Sequence, residues 1–220
     1  VALSSAPPFN VNIQLIDANT SLPIPNATVA LNNTLYTNTA TTNASGVATF
    51  SLTYVGNYNV YAGRWGYITN LSNSQAFSST NNTLTITLQK GYYDDFLLDF
   101  GWTVSGNAPQ GMFDRGTPTQ ATLTGDITNP ANDAPGDFGN FCYMTGNTGG
   151  LNNNVNNGYT QIASPIFDLT TYAHPKLSFY RWSYLQSGSL DTMIITLSNG
   201  ITSVTLEQIY DNNIYESNWA

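Results

Sequence analysis

The sequence predicts an all-β protein made of two β-sandwich modules, and three observations carry this. Apolar and polar residues alternate with a period of two over several short stretches bounded by turn residues. Strong helix formers are scarce, while β-branched and aromatic residues are plentiful. Charge is also unevenly divided. Residues 1–90 hold one acid (Asp17) and two bases (Arg64, Lys90), whereas residues 91–220 hold twelve acids and three bases (Arg115, Lys176, Arg181). A chain of 220 residues has room for two cores, and the charge step places their division near 90/91.

Residues 1–8 (VALSSAPP) read as an extended linker, because of the proline pair and the small residues. Residues 9–90 read as the smaller sandwich. Phe9, Val11, Ile13 and Leu15 alternate with Asn10, Asn12 and Gln14, and Val29 and Leu31 resume the pattern after Pro23 and Pro25. Asn43-Ala44-Ser45-Gly46 is a turn in which Gly46 can take a positive φ. Ala48, Phe50 and Leu52 then share a face, as do Tyr58, Val60 and Ala62. Leu84, Ile86 and Leu88 between Thr83, Thr85 and Thr87 make the clearest strand. Residues 91–220 read as a larger sandwich. Its expected strands are Phe96 to Trp102, a segment ending at Ser164-Pro165, Leu177 to Tyr184, Met193 to Leu197, and Ile201 to Ile209 after the hairpin signal Asn199-Gly200, and Phe141 to Met144 is an apolar run. The stretch 104–140 is too long for an ordinary loop and implies a bound ion or short strands.

Only 8% of residues are charged, against about 25% in typical globular proteins. Solubility rests on Asn, Thr and Ser instead, with 28 Asn, a composition that points to an exported protein. The acidic second half excludes nucleic acid as a partner. No apolar run is long enough to span a membrane. The single cysteine, Cys142, rules out an internal disulfide, and its neighbours Phe141 and Tyr143 predict a buried thiol. Neither a signal peptide nor an initiator Met is present, so a longer or processed polypeptide is expected.

The succession LIDANTSLPIPNATVAL, TNASGVATFSL, GNYNVYAGRWGY and LTITLQ resembles the carboxypeptidase-regulatory-like domain. The likeness lies in Pro23-Ile24-Pro25-Asn26-Ala27 with Val29, in Gly46 with Phe50, in Gly56-Asn57-Tyr58 and in Gly66-Tyr67. It implies a seven-stranded, transthyretin-like sandwich over residues 9–90 that serves as a spacer beside a peptidase or adhesin and has no active site of its own. The second half is similar to the MAM-like jelly-roll modules of secreted Bacteroidetes peptidases and surface proteins. The matching blocks are Asp99 to Trp102, Gly111 to Pro118, Cys142 to Asn147, Ser164 to Leu169, Tyr180-Arg181-Trp182 and Leu197 to Gly200. This resemblance implies type IX secretion and a jelly roll that continues beyond Ala220. Where that family carries an acidic run, this chain reads Asn153-Asn154-Val155-Asn156-Asn157-Gly158, which keeps carbonyl oxygens but loses charge.

Asp133, Asp137, Asn154, Asn156, Asp168 and Asp191 are the candidate ligands for a calcium ion, which takes hard oxygen donors. No catalytic residue is expected. His174 has no second histidine and no nucleophile motif beside it. Asp94 with Asp95, or Asp133 with Asp137, would form a glycosidase pair only at a suitable separation. Tyr92, Tyr93, Trp102, Trp182 and Tyr184 would bind sugar only if they shared one exposed patch. Asn19, Asn26, Asn32, Asn43, Asn70 and Asn81 begin N-glycosylation patterns, which arise readily by chance in so Asn- and Thr-rich a chain.

The expected function is therefore that of a non-catalytic structural or adhesive segment of a larger exported or cell-surface bacterial protein. Its partners would be neighbouring modules and surface glycans or proteins. Two alternatives stand beside it: an accessory region of a secreted zinc peptidase whose catalytic domain lies elsewhere, which the resemblance implies, and a carbohydrate-binding module.

Overall fold

The computed structural model describes residues 6–35, 37–150, 153–185, 188, 190–210 and 218–220. Among the described residues there are fifteen strands and no α-helix, so the predicted all-β class is what the structure has. Most of the linker expected over residues 1–8 lies outside the described residues. The chain forms two compact units. Unit 1 is residues 1–103 with 163–173, and unit 2 is residues 104–162 with 174–220. The division expected at 90/91 is therefore not where the contacts divide, since residues 91–103 and 163–173 pack with the first unit.

Unit 1 is a sandwich of seven strands: β1 (Phe9–Asp17), β2 (Thr28–Asn32), β3 (Thr37–Thr41), β4 (Val47–Thr53), β5 (Gly56–Gly63), β6 (Asn70–Phe77) and β7 (Thr83–Leu88). One sheet has the order β4-β1-β7 and the other β3-β2-β5-β6. β1 runs antiparallel to β4, with Ile13 opposite Ala48, and parallel to β7, with Ile13 opposite Leu84. The period-two pattern faces inward. Val11, Ile13, Leu15, Val29, Leu31, Ala48, Phe50, Tyr58, Val60, Ala62, Ile86 and Leu88 are buried in one core. The other side of β1 and β7 presents Asn, Gln and Thr to solvent.

Two polar devices close this core. Gly46, at φ +71°, sends its carbonyl oxygen to the Leu15 amide at 2.8 Å, and a Cβ there would meet the Leu15 carbonyl oxygen at 2.6 Å. That close approach is why a glycine stands at the turn. Asp17, buried at the end of β1, accepts hydrogen bonds from the Asn19 and Thr20 amides and from the Tyr67 hydroxyl at 2.9 Å. These bonds favour the carboxylate and hold its pKa below the usual range.

Unit 2 consists of two-stranded ribbons. β8 (Thr103–Gly106) pairs with β13 (Thr160–Ala163), β9 (Phe113–Gly116) with β12 (Cys142–Thr145), β10 (Ala121–Leu123) with β11 (Asp126–Asn129), and β14 (Thr192–Ser198) with β15 (Ser203–Tyr210). The stretch 104–140 thus holds short strands. The hairpin at Asn199-Gly200 forms as expected, with the Asn199 carboxamide accepting the Ile201 and Thr202 amides. The β14-β15 hairpin leaves Ile194, Leu197, Val204, Leu206 and Tyr210 exposed.

Two expected strands are not strands. Phe96 to Trp102 forms turns, because Asp94, Asp95 and Asp99 each accept an amide two residues further on, and Phe96 takes φ +59°. Its aromatic alternation reflects packing within unit 1, where Phe100 and Trp102 meet Trp65 and Phe96 meets Trp102. Leu177 to Tyr184 joins no sheet among the described residues, and every residue from Thr171 to Tyr180 is exposed.

Two predictions follow from these features. Because the folded pKa of Asp17 is depressed, its contribution is present above the unfolded value of about 3.9 and is lost as pH falls through the folded value. Asp17→Asn is expected to melt lower than wild type at pH 7 and to lose less on going to pH 3, as read by thermal denaturation. Limited trypsin digestion is expected to cut first after Lys176. The other four basic residues sit in bonded backbone: Arg64 and Lys90 in the Tyr67 turn and bridge, Arg115 in β9, and Arg181 against Ala220. Peptide mapping of the first fragments checks the site.

Candidate functional site

The densest side-chain constellation is an aromatic clasp at the end of unit 1 where β5 stops. Gly63, the last residue of β5, leaves room for two incoming side chains. A Cβ there would lie 2.8 Å from the Phe100 ring and 3.0 Å from Leu98. The chain then turns through Trp65, whose ring becomes the hub. Tyr92 lies 5.2 Å from it, Phe100 6.3 Å, Trp102 6.4 Å and Phe167 4.8 Å, centroid to centroid. Tyr92 meets Phe167 edge-on at 4.9 Å, and Phe96 meets Trp102 at 5.2 Å. Tilted and edge-on geometries of this kind place ring edges against ring faces, the arrangement the aromatic quadrupole favours.

Phe167 arrives on a strap, residues 163–173, that returns to unit 1 after an excursion through residues 104–162. Three hydrogen bonds seat it. The Trp65 indole N–H donates to the Ile166 carbonyl at 2.7 Å, the Asp168 amide donates to the Tyr92 hydroxyl oxygen at 2.6 Å, and that hydroxyl donates to the Asp168 carbonyl at 3.3 Å. The Asp168 carboxylate accepts the Thr170 hydroxyl and amide, and with Lys90 nearby its pKa is held below the usual range. On the other side, the Trp102 indole donates to Asp94 at 2.7 Å.

This arrangement holds a chain segment, and its acids are engaged by neighbouring donors. Asp94 accepts the Phe96 amide with one oxygen and Trp102 with the other, and Asp95 accepts the Leu97 amide, so this acid pair caps turns. His174 stands exposed on an irregular segment. The five aromatics considered for sugar binding do not share a unit. Tyr92 and Trp102 spend their rings in the clasp, while Trp182 of unit 2 packs on Trp219 at 5.9 Å.

The six candidate calcium ligands do not make one coordination shell. Asp168 is in the strap of unit 1 and is engaged by Thr170. Asn154, Asn156 and Asp191 are exposed, and among the described residues no group of three or more His, Cys, Asp or Glu side chains is arranged to hold a metal ion. Asp133 and Asp137 do converge, but on the buried Cys142. Burial first, and then the two carboxylates, push that thiol up to about 12, so it stays protonated. A calcium ion takes six to eight oxygens, and a thiol beside two carboxylates does not fit it. Asn153, in the stretch compared with the acidic run, has its carbonyl oxygen taken by the Thr148 amide and hydroxyl.

Reading the sequence alone missed Trp65 and Phe167 as partners, although both lie in stretches singled out there. Their separation of about a hundred residues leaves no local signal.

No known protein family matches the chain, and no curated protein matches it. Solved structures give partial likenesses. A cohesin-X-dockerin complex from Acetivibrio cellulolyticus matches at 19% identity over 37% of this chain and 58% of that one, with a TM-score of 0.31. The major pilin subunit BcpA of Bacillus cereus matches at 14% identity over 39% and 30%, with a TM-score of 0.29. Fervidolysin from Fervidobacterium pennivorans matches at 11% identity over 65% and 24%, with a TM-score of 0.35. The chain spans less than two thirds of each of these proteins, and likenesses this partial carry no argument about function.

Removing the Phe167 ring tests the clasp. Phe167→Ala is expected to destabilise unit 1 by about 2 kcal/mol, less than the roughly 3–5 kcal/mol of a fully buried ring. Phe167→Leu should restore part of the loss. Denaturant unfolding followed by tryptophan fluorescence measures both.

Proposed function

We propose that this chain is a non-catalytic structural and adhesive segment of a larger exported or cell-surface bacterial protein. Unit 1 serves as a spacer of the carboxypeptidase-regulatory-like kind, and unit 2 as a module of the MAM-like kind. The observation that carries the reading is the way unit 1 uses its side chains. Seven strands in sheets of three and four bury one continuous apolar core, and the aromatic and acidic residues at its end all serve to hold chain against chain. The sparsely charged, Asn- and Thr-rich exterior supports an extracellular setting, because such a surface stays soluble with few charges to be screened by salt. Recognition of a glycan or surface protein then rests on polar groups and exposed side chains of unit 2.

The test is an activity and adhesion screen of the purified chain. No hydrolysis of protein, peptide or glycoside substrates is expected, and beads carrying the chain should be retained on cell-envelope preparations. Turnover that disappears in Asp94→Asn or Asp133→Asn would overturn the reading, and so would beads that show no retention.

A further inference from the structure

We infer that unit 1 is a tension-bearing element whose first and last strands form a mechanical clamp. This deepens the spacer reading and rests on it. β1 and β7 are hydrogen-bonded neighbours running in the same direction, paired from Asn12 with Thr83 to Asp17 with Leu88. The ladder extends by one bond at each end, from the Asn12 amide to the Asn82 carbonyl at 2.8 Å and from the Ala18 amide to the Leu88 carbonyl at 2.9 Å. Tension that enters ahead of Phe9 and leaves beyond Leu88 pulls β1 backward and β7 forward along one axis. All the slanted, evenly spaced bonds of a parallel pair are then loaded together, in shear. Nothing can yield one bond at a time.

Sliding is blocked by the core as well. A shift of one residue would turn Val11, Ile13 and Leu15, each fully buried, out to the polar face. β1 also cannot move without breaking its second ladder, because β4 holds its other edge from Phe9 to Gln14. The exit is secured in turn. Lys90 bridges Tyr67, the Ile68 amide donates to the Gln89 carbonyl, and Tyr92 is seated in the aromatic clasp, so the residues that follow β7 are held in unit 1 as well.

The same strand offers its own control. β1 and β4 are antiparallel, and Phe9 lies opposite Thr53. Handles at those two ends open the pair from its mouth, bond after bond. The experiment is single-molecule forced unfolding of the full chain in two attachment geometries. One carries Pro8→Cys with Lys90→Cys, the other Pro8→Cys with Val55→Cys, all at exposed positions. Cys142 is buried and does not compete for the handles. Forced unfolding reports the barrier rather than equilibrium stability, so equal melting temperatures of the two variants confirm that the folded state is the same. The expected result is an unfolding force several-fold higher for the 8/90 geometry than for 8/55. Equal forces, or a weaker 8/90 geometry, would overturn the clamp. The substrate and adhesion screen would be unaffected, so the two readings fail separately.

Discussion

The placement of β1 at the centre of its sheet is the constraint on which the rest of unit 1 depends. A strand paired on both edges has no freedom of register, because each neighbour fixes it independently. β4 fixes it through antiparallel pairs and β7 through parallel ones, and both agree on the face that carries Val11, Ile13 and Leu15. Once that face is set, the opposite sheet has one surface to cover, and Val29, Leu31, Tyr58, Val60 and Ala62 do so. Asp17 and Gly46 then close the two turns that leave the sheet, Asp17 through its carboxylate and Gly46 through a backbone carbonyl brought in where a Cβ would clash.

Scarcity of charge shapes the remainder. With so few acids available, the chain spends several of them on its own backbone. Asp17, Asp94, Asp95, Asp99 and Asp168 each accept amides within three residues and thereby set turns where strands would otherwise run on. In a crowded charged surface such bonds would compete with ion pairs. In unit 2 an ion pair joins Arg181 to Glu207, and its hydrogen bond lowers the pKa of Glu207. Three of the acids considered in the sequence as a catalytic pair or a metal ligand, Asp94, Asp95 and Asp168, are committed in this way.

Legibility followed the range of the interaction. The strands of unit 1 were readable because period two is a local signal, and Phe9 to Leu15 or Thr83 to Leu88 needs no distant partner to display it. The same rule failed at Phe96 to Trp102, where alternation arises from rings packed around Trp65. It failed again at Leu177 to Tyr184, where a strand-like pattern joins no described sheet. The convergence of Asp133 and Asp137 on Cys142 lay within one singled-out stretch, but its meaning did not. A short spacing brings acids near a thiol without saying whether oxygen ligands or a raised pKa result. The clasp was hidden for the plainest reason: Trp65 and Ile166 are bonded across a hundred residues.

That separation has a consequence for how the protein is made. The strap that completes unit 1 follows the whole stretch 104–162 in the chain. On a ribosome, the seven strands emerge and can pair long before Phe167 exists. For that interval Trp65, Tyr92 and Phe100 form an open aromatic edge that only later synthesis can cover. Loop-closure entropy grows slowly with length, each doubling adding about 0.6 kcal/mol, so the delay is a matter of time rather than of equilibrium. Any factor that accompanies the emerging chain therefore meets unit 1 first as a folded sandwich with one sticky end, and only afterwards as a sealed one.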